Sequence, residues 1–270
     1  MKQFVLGKLL MLILWNLIGT ACPEIVAFWR MNEGEGKTVR DESGNKADLK
    51  LVGTMKWADG IRGGGLEFNG HPKNYAISKN ANINFPSSFT IEGWFKPHQI
   101  NGFIINTAAD IGNGESTNVI IWVGLGLTKD WNSAPVLTGR LWTQGGGWES
   151  FLSSKAIQTD QWYHFAYVFD VDAPAHLLYL NGKKVKSQAT KGNRLFHQNG
   201  KHNAYVLGAN AENNDFGIPF NGVIDEIRVH DGVLKGNAIK ESMQELSIEL
   251  TDKLLALTWG QIKRTPFNVY

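Results

Sequence analysis

A chain of 270 residues is long enough to bury one large core, and all-β sandwiches of about 200 to 250 residues commonly form a single domain. Its 27 basic and 25 acidic side chains nearly cancel, and setting aside Lys2 and Lys8 in the leader leaves 25 against 25. A neutral chain with no clustered basic patch excludes nucleic acid and an anionic membrane surface as partners.

Residues 1–21 read as a secretory signal peptide: two lysines, an apolar run from Leu9 to Ile18 broken only by Asn16, then the small residues Gly19 and Ala21. The run falls short of the roughly 20 apolar residues that a membrane-spanning helix needs. The mature protein is therefore expected outside the cytoplasm, secreted or held in the cell envelope. Cys22 is the only cysteine, so no intrachain disulfide forms. Its place after Ala21 resembles the lipidated cysteine of bacterial lipoproteins, although Gly19 stands where the usual motif has Leu, Val or Ile. A lipid anchor on Cys22 is the one membrane contact expected, and plain cleavage before a leftover thiol is the alternative.

From Ile25 onward short apolar or alternating runs are separated by Gly, Asn, Asp and Pro, the pattern of an antiparallel sandwich. The predicted strands are Ile25–Arg30, Leu66–Phe68, Tyr75–Ser78, Phe89–Lys96, Phe103–Thr107, Asn118–Leu125, Leu137–Thr143, Trp162–Asp170, His176–Asn181, Ala204–Gly208 and Asn221–His230. In Phe89–Lys96, residues Phe89, Ile91 and Phe95 share one face and Thr90, Glu92, Trp94 and Lys96 the other, which predicts a half-buried strand. Asn181-Gly182 supplies the two positive backbone angles of a type I′ hairpin turn. Asn237–Leu246 predicts one short amphipathic helix, and 247–270 a tail. The fold expected from this pattern is all-β and antiparallel, a sandwich or a barrel, over residues 22–235, followed by a short helix and tail over 236–270.

Two features point to chemistry. Trp122, Trp131, Trp142 and Trp148 crowd one stretch together with Asn118, Asn132, Gln144 and the glycines 145–147. Flat rings beside amides suit the C–H face and hydroxyls of a sugar, so Trp122, Trp142 and Trp148 are the candidate ligand platform, whereas Trp29, Trp94 and Trp162 lie in strands and are expected in the core. The second feature is Asp225, which strict alternation places with Val223, Ile227 and Val229 on an apolar face. A carboxylate turned toward a core costs several kcal/mol unless a cation or strong donors meet it. Calcium, which takes oxygen ligands, is one answer. A set of backbone N–H groups capped by Asp225 is the other.

Several segments in order resemble the laminin-G-like jelly rolls of the concanavalin-A-like lectin and glucanase superfamily: FWRMNEGEGKTVRDESGN (Phe28–Asn45), GLEFNG (Gly65–Gly70), FTIEGWFKP (Phe89–Pro97), WYHFAYVFD (Trp162–Asp170), LYLNGKKV (Leu178–Val185) and FNGVIDEIRVHDGVL (Phe220–Leu234). The resemblance implies two packed antiparallel sheets, one concave, and a calcium ion at the rim. It also implies that Glu33, Asp41 and the backbone near Asn69 and Gly70 join Asp225 as calcium ligands. It implies no single function, because such folds host lectins, adhesion modules and hydrolases. The retaining glucanases it resembles carry Glu-x-Asp-x-x-Glu on one strand, a spacing absent from this chain. There is no HExxH, no Gly-x-Ser-x-Gly and no complete phosphate loop around GEGKT. The expected function is a non-catalytic extracytoplasmic recognition module for carbohydrate, with structural calcium. The alternatives are an adhesion domain for a cell-surface protein or a glycan hydrolase.

Overall fold

The computed structural model describes residues 23–79, 88–109, 119–126, 134–149, 152–196, 202–210 and 218–244. Residues 1–22, with the expected signal segment and Cys22, as well as Trp131 and the expected tail lie outside the described residues. In chain order the strands are β1 (Glu24–Trp29), β2 (Thr38–Val39), β3 (Leu49–Val52), β4 (Lys56–Asp59), β5 (Gly64–Asn69), β6 (Tyr75–Lys79), β7 (Phe89–Pro97), β8 (Gly102–Ala109), β9 (Val119–Leu125), β10 (Val136–Thr143), β11 (Gly147–Trp148), β12 (Leu152–Ala156), β13 (Tyr163–Asp170), β14 (Ala175–Leu180), β15 (Lys183–Ala189), β16 (His202–Leu207) and β17 (Asn221–Asp231). A helix, α1, covers 236–244. Among the described residues no helix is long and apolar enough to cross a membrane.

Two antiparallel sheets form the sandwich. One runs β15-β14-β13-β7-β17-β5-β4 with β1 also on β17, and the other runs β11-β10-β9-β8-β16-β6-β3-β2 with β12 on β10. Alternation decides what lies between them. Phe89, Ile91 and Phe95 of β7, Phe165, Tyr167 and Phe169 of β13, Ile121, Val123 and Leu125 of β9, and Tyr205 and Leu207 of β16 all enter one buried cluster. Trp29 joins it edge-on to Tyr205, with ring centroids 5.1 Å apart, and its indole N–H donates to the Ala47 carbonyl. The β14–β15 hairpin turns at Asn181 (φ 49°) and Gly182 (φ 70°), the two positive angles of the expected turn.

Two local expectations are corrected. The first concerns β7, which is buried on both faces. Leu234 and Ile239 pack on Ala166, Val168 and Tyr179 outside the eight-stranded sheet, and the Ser242 hydroxyl of α1 donates to Glu92 Oε1 at 2.6 Å. Glu92 also meets His230 Nε2 at 3.0 Å and His164 Nε2 at 3.5 Å, so the polar face of the strand is a sealed network. Burial alone would raise the Glu92 pKa, but the hydrogen bonds and charge of His164 and His230 outweigh it and hold the carboxyl below its usual range. Trp94 lies on this outer face against His164, at 5.2 Å, and Trp162 lies under the Lys96 ammonium, so neither belongs to the core.

The second correction concerns β17. Ile224 pairs with Leu66 and Phe95, both core residues, whereas Asp225 pairs with Trp94 on the outer side. Between Asp225 and Arg228 the register against β7 slips, with Glu226 at φ 53°. This β-bulge restarts the alternation, so that Ile227 and Val229 face the core. Asp225 therefore does not share their face, although it is completely buried.

Candidate functional site

The outer face of the nine-stranded sheet carries a continuous row of side chains. Register aligns Lys50, Ile77, Val206, Asn106, Trp122 and Arg140 across β3, β6, β16, β8, β9 and β10. Cross-strand partners lie on the same face. One end is apolar, with Ile77, Ala204 and Val206 packed against Val52 and Tyr75. In the middle, Asn106 donates to the Ala209 carbonyl at 2.6 Å while its Oδ1 is buried without a partner. Thr138 Oγ1, on β10, is likewise buried without a partner.

The other end is aromatic. Trp142 and Trp148 are opposite one another in the β10–β11 hairpin, with centroids 5.2 Å apart, and Trp142 stacks on Phe196 at 5.1 Å and 26°. All three rings are partly exposed. The Arg140 guanidinium stands 4.9 Å over Trp148, and its Nε donates to the Glu149 main-chain carbonyl at 2.8 Å. Burial lowers the Arg140 pKa, with Tyr167 opposing the shift.

Glu149 holds this corner together. Its Oε1 accepts from the Thr143 hydroxyl and from the N–H groups of Lys191 (2.9 Å) and Gly192 (3.3 Å), which ties the Trp-bearing hairpin to the segment that carries Phe196. The residue is 3% exposed, so this carboxylate is consumed by structure.

Of the three tryptophans expected in the platform, Trp142 and Trp148 are brought together at the surface. Trp122 is not available for stacking. It is 3% exposed, edge-on to Phe103 at 5.3 Å, within a cluster that Val119, Trp148 and Ile218 complete. Phe196, Arg140 and Glu149 were not singled out from sequence. The signal for Phe196 was faint, since Leu195 bridges Thr143 as an isolated pairing outside any predicted strand.

Asp225 occupies a notch in the other sheet, where β17 leaves β5 at Ile224 and takes up β1 at Ile227. Its Oδ2 accepts the Arg62 N–H at 3.2 Å, and its Oδ1 is buried without a partner. Burial, with Glu226 adding to it, pushes the Asp225 pKa up to about 8 against the pull of the Arg62, Glu226 and Ile61 amides. The glycines of the 60–64 turn let oxygens crowd around it. A Cβ on Gly60 would stand 1.9 Å from the Gly64 carbonyl and 2.5 Å from Asp225 Oδ2, and one on Gly64 would stand 2.8 Å from the Met31 carbonyl. Asn32 Oδ1 accepts the Gly64 N–H at 2.6 Å. The partners that meet the Asp225 carboxylate are backbone amides, and an orphaned, buried carboxylate oxygen beside carbonyl oxygens of this turn is compatible with an oxygen-seeking cation such as calcium.

The other expected ligands have partners of their own, although Glu33 Oε2 is buried without one. Asn69 pairs with Asn221 at the far end of β5, where its side chain accepts from His71 and Asn74, and the Gly70 N–H donates to Phe220. The Asp41 carboxylate is filled by the N–H groups of Phe28, Ser43 and Ala47 and by the Ser43 hydroxyl. These donors outweigh the effect of burial and lower its pKa. Glu33 Oε1 caps the Arg40 N–H. Among the described residues no group of three or more His, Cys, Asp or Glu side chains is arranged to hold a metal. Any cation at Asp225 would rely on carbonyl and amide oxygens.

Two packed sheets in this strand order, closed by a last strand reading NGVIDEIRVHD, coincide with a laminin-G-like family model described as concanavalin A-like lectin/glucanases superfamily, which matches residues 69–240. The chain belongs to that superfamily. No curated protein matches it. Among solved structures, the chain is similar to domain 4 of a GH43 extracellular arabinanase from Geobacillus stearothermophilus in complex with arabinotriose, at 22% identity and TM-score 0.58, covering 82% of this chain and 98% of that one. It is similar to a structure of botulinum neurotoxin type C concerned with cell entry through two ganglioside molecules, at 14% identity and TM-score 0.59, covering 83% and 51%. The binding domain of botulinum neurotoxin DC in complex with rat synaptotagmin II is matched at 15% identity and TM-score 0.59, covering 83% and 52%. The chain thus spans about half the length of the toxin chains. At these identities the likeness establishes the superfamily's fold.

Proposed function

We propose that this laminin-G-like sandwich is a non-catalytic recognition module that works outside the cytoplasm and binds carbohydrate at the Trp142–Trp148–Phe196 corner. The observation that carries the reading is a partly exposed patch in which Trp142 contacts both Trp148 and Phe196, with the Arg140 guanidinium over Trp148. Rings supply stacking area for pyranose or furanose C–H faces, and nearby donors and acceptors fix the hydroxyls. Glu149, a carboxylate among the described residues of the corner, is occupied by three donors and so is not free to serve as one of the two acids that glycoside hydrolysis needs. The arabinotriose and ganglioside complexes of similar folds lend support.

The reading includes a structural calcium ion held by Asp225 with the carbonyls of Met31 and Gly64 and the Asn32 side chain. The ion would supply positive charge to a carboxylate that the fold otherwise keeps protonated up to about pH 8.

A glycan array with the mature chain tests the proposal. Binding that Trp148→Ala weakens by about 1 to 3 kcal/mol, with the melting curve preserved, supports it. An array without signal, together with capture of a cell-surface protein that survives Trp148→Ala, assigns the module to a protein partner by another surface.

A further inference from the structure

Resting on the carbohydrate reading, we propose that the ligand is an acidic glycan, whose carboxylate or sulfate is read by Arg140 between the rings of the aromatic corner. Arg140 is the register partner of Trp122 on one side and lies over Trp148 on the other, so a sugar seated on the exposed rings meets the guanidinium at its edge. The side chain is aimed in advance, because Nε is fixed by the Glu149 carbonyl at 2.8 Å. A planar fork already held in place recognises a planar carboxylate or a sulfate better than a hydroxyl.

Charge along the face agrees. In the aligned row the ionisable side chains are Lys50 at one end and Arg140 at the other, both basic. The nearby Glu149 carboxylate is turned to Thr143, Lys191 and Gly192, and it is the Glu149 main-chain carbonyl that Arg140 meets. Burial disfavours the charged form of Arg140, and a bound anion would restore what desolvation removes.

The test uses the mature chain on an array whose neutral glycans each have a uronate-bearing or a sulfated counterpart, followed by titration of polygalacturonate, carboxyl-reduced polygalacturonate, dextran sulfate and dextran. The expected result is preference for acidic members, with affinity falling at least about tenfold on carboxyl reduction or desulfation and decreasing as salt rises. The polygalacturonate and dextran sulfate arms tell a carboxylate from a sulfate. Arg140→Gln should abolish the preference, and Arg140→Lys should keep a charge-dependent remnant. Both melting curves are recorded, and if Arg140→Gln unfolds, Arg140→Lys with the salt dependence carries the decision. Equal binding of neutral and acidic counterparts overturns this inference and leaves the carbohydrate reading standing. An array on which nothing binds overturns both.

Discussion

His176 gives the sharpest acid-stability prediction. It is fully buried on β14, with Nδ1 2.8 Å from the Tyr167 hydroxyl and Nε2 without a partner. Burial pushes its pKa from 6.5 down to about 4, with Glu149 opposing. An unfolded chain takes up this proton near pH 6.5 while the folded one resists until about 4, so between those values the unfolded state binds more protons. The stability contributed by neutral His176 is fully present above pH 6.5 and is lost as the pH falls through 4. A gap of about 2.5 pH units, at about 1.4 kcal/mol each, sets the loss on the order of 3 kcal/mol. His176→Gln keeps a polar partner for Tyr167 and removes the titration. Urea unfolding of both proteins between pH 7 and pH 4 measures the difference, in which contributions common to both chains cancel. The wild-type advantage should shrink by that amount on acidification. A difference that stays flat across the window refutes the reasoning.

Gly139 faces the Tyr167 ring, and a Cβ there would stand 2.8 Å from two ring carbons. Gly139→Ala should therefore cost about 1 to 3 kcal/mol in denaturant unfolding, as overpacking does, and an unchanged midpoint would show that β10 and β13 part freely. If calcium sits at Asp225, saturation at about 100 times Kd adds roughly 2.7 kcal/mol, or roughly 5 to 10 °C in melting temperature, and chelator reverses it. Asp225→Asn should abolish that response, and a melting curve indifferent to both chelator and calcium removes the metal from the notch.

Long strands were readable because their apolar period matched the pleat, as in Phe89–Pro97 and Tyr163–Asp170. Most pieces missed are short: β2 and β11 have two residues each, β3 and β4 four and β12 five, while the seven-residue β15, exposed along most of its length, was announced only by the turn that starts it. The bulge at Glu226 left no mark in composition, because nothing about a glutamate announces a positive φ. Alternation was therefore carried straight through it, and Asp225 was assigned to the wrong face. Glu92 looked solvated since its cover, Ser242 on α1, lies far away in the chain. Trp142 and Trp148 were visible as a cluster of residue types. Glu149 and Phe196 join them through contacts between the hairpin and the 190s segment, which spacing does not encode.

The placement of β17 has a consequence for how the molecule comes into being. This strand pairs with β1, β5 and β7, and its partner register runs from Glu24 against Asp231 to Asn69 against Asn221. The first strand of this sheet in chain order thus waits for the last, and the eight-stranded sheet has no centre until β17 arrives. Contacts so distant in sequence make closure slow, since loop entropy is paid before packing rewards it. Until then β1, β5 and β7 lack the neighbour they share, and their backbone edges stay open to other partners.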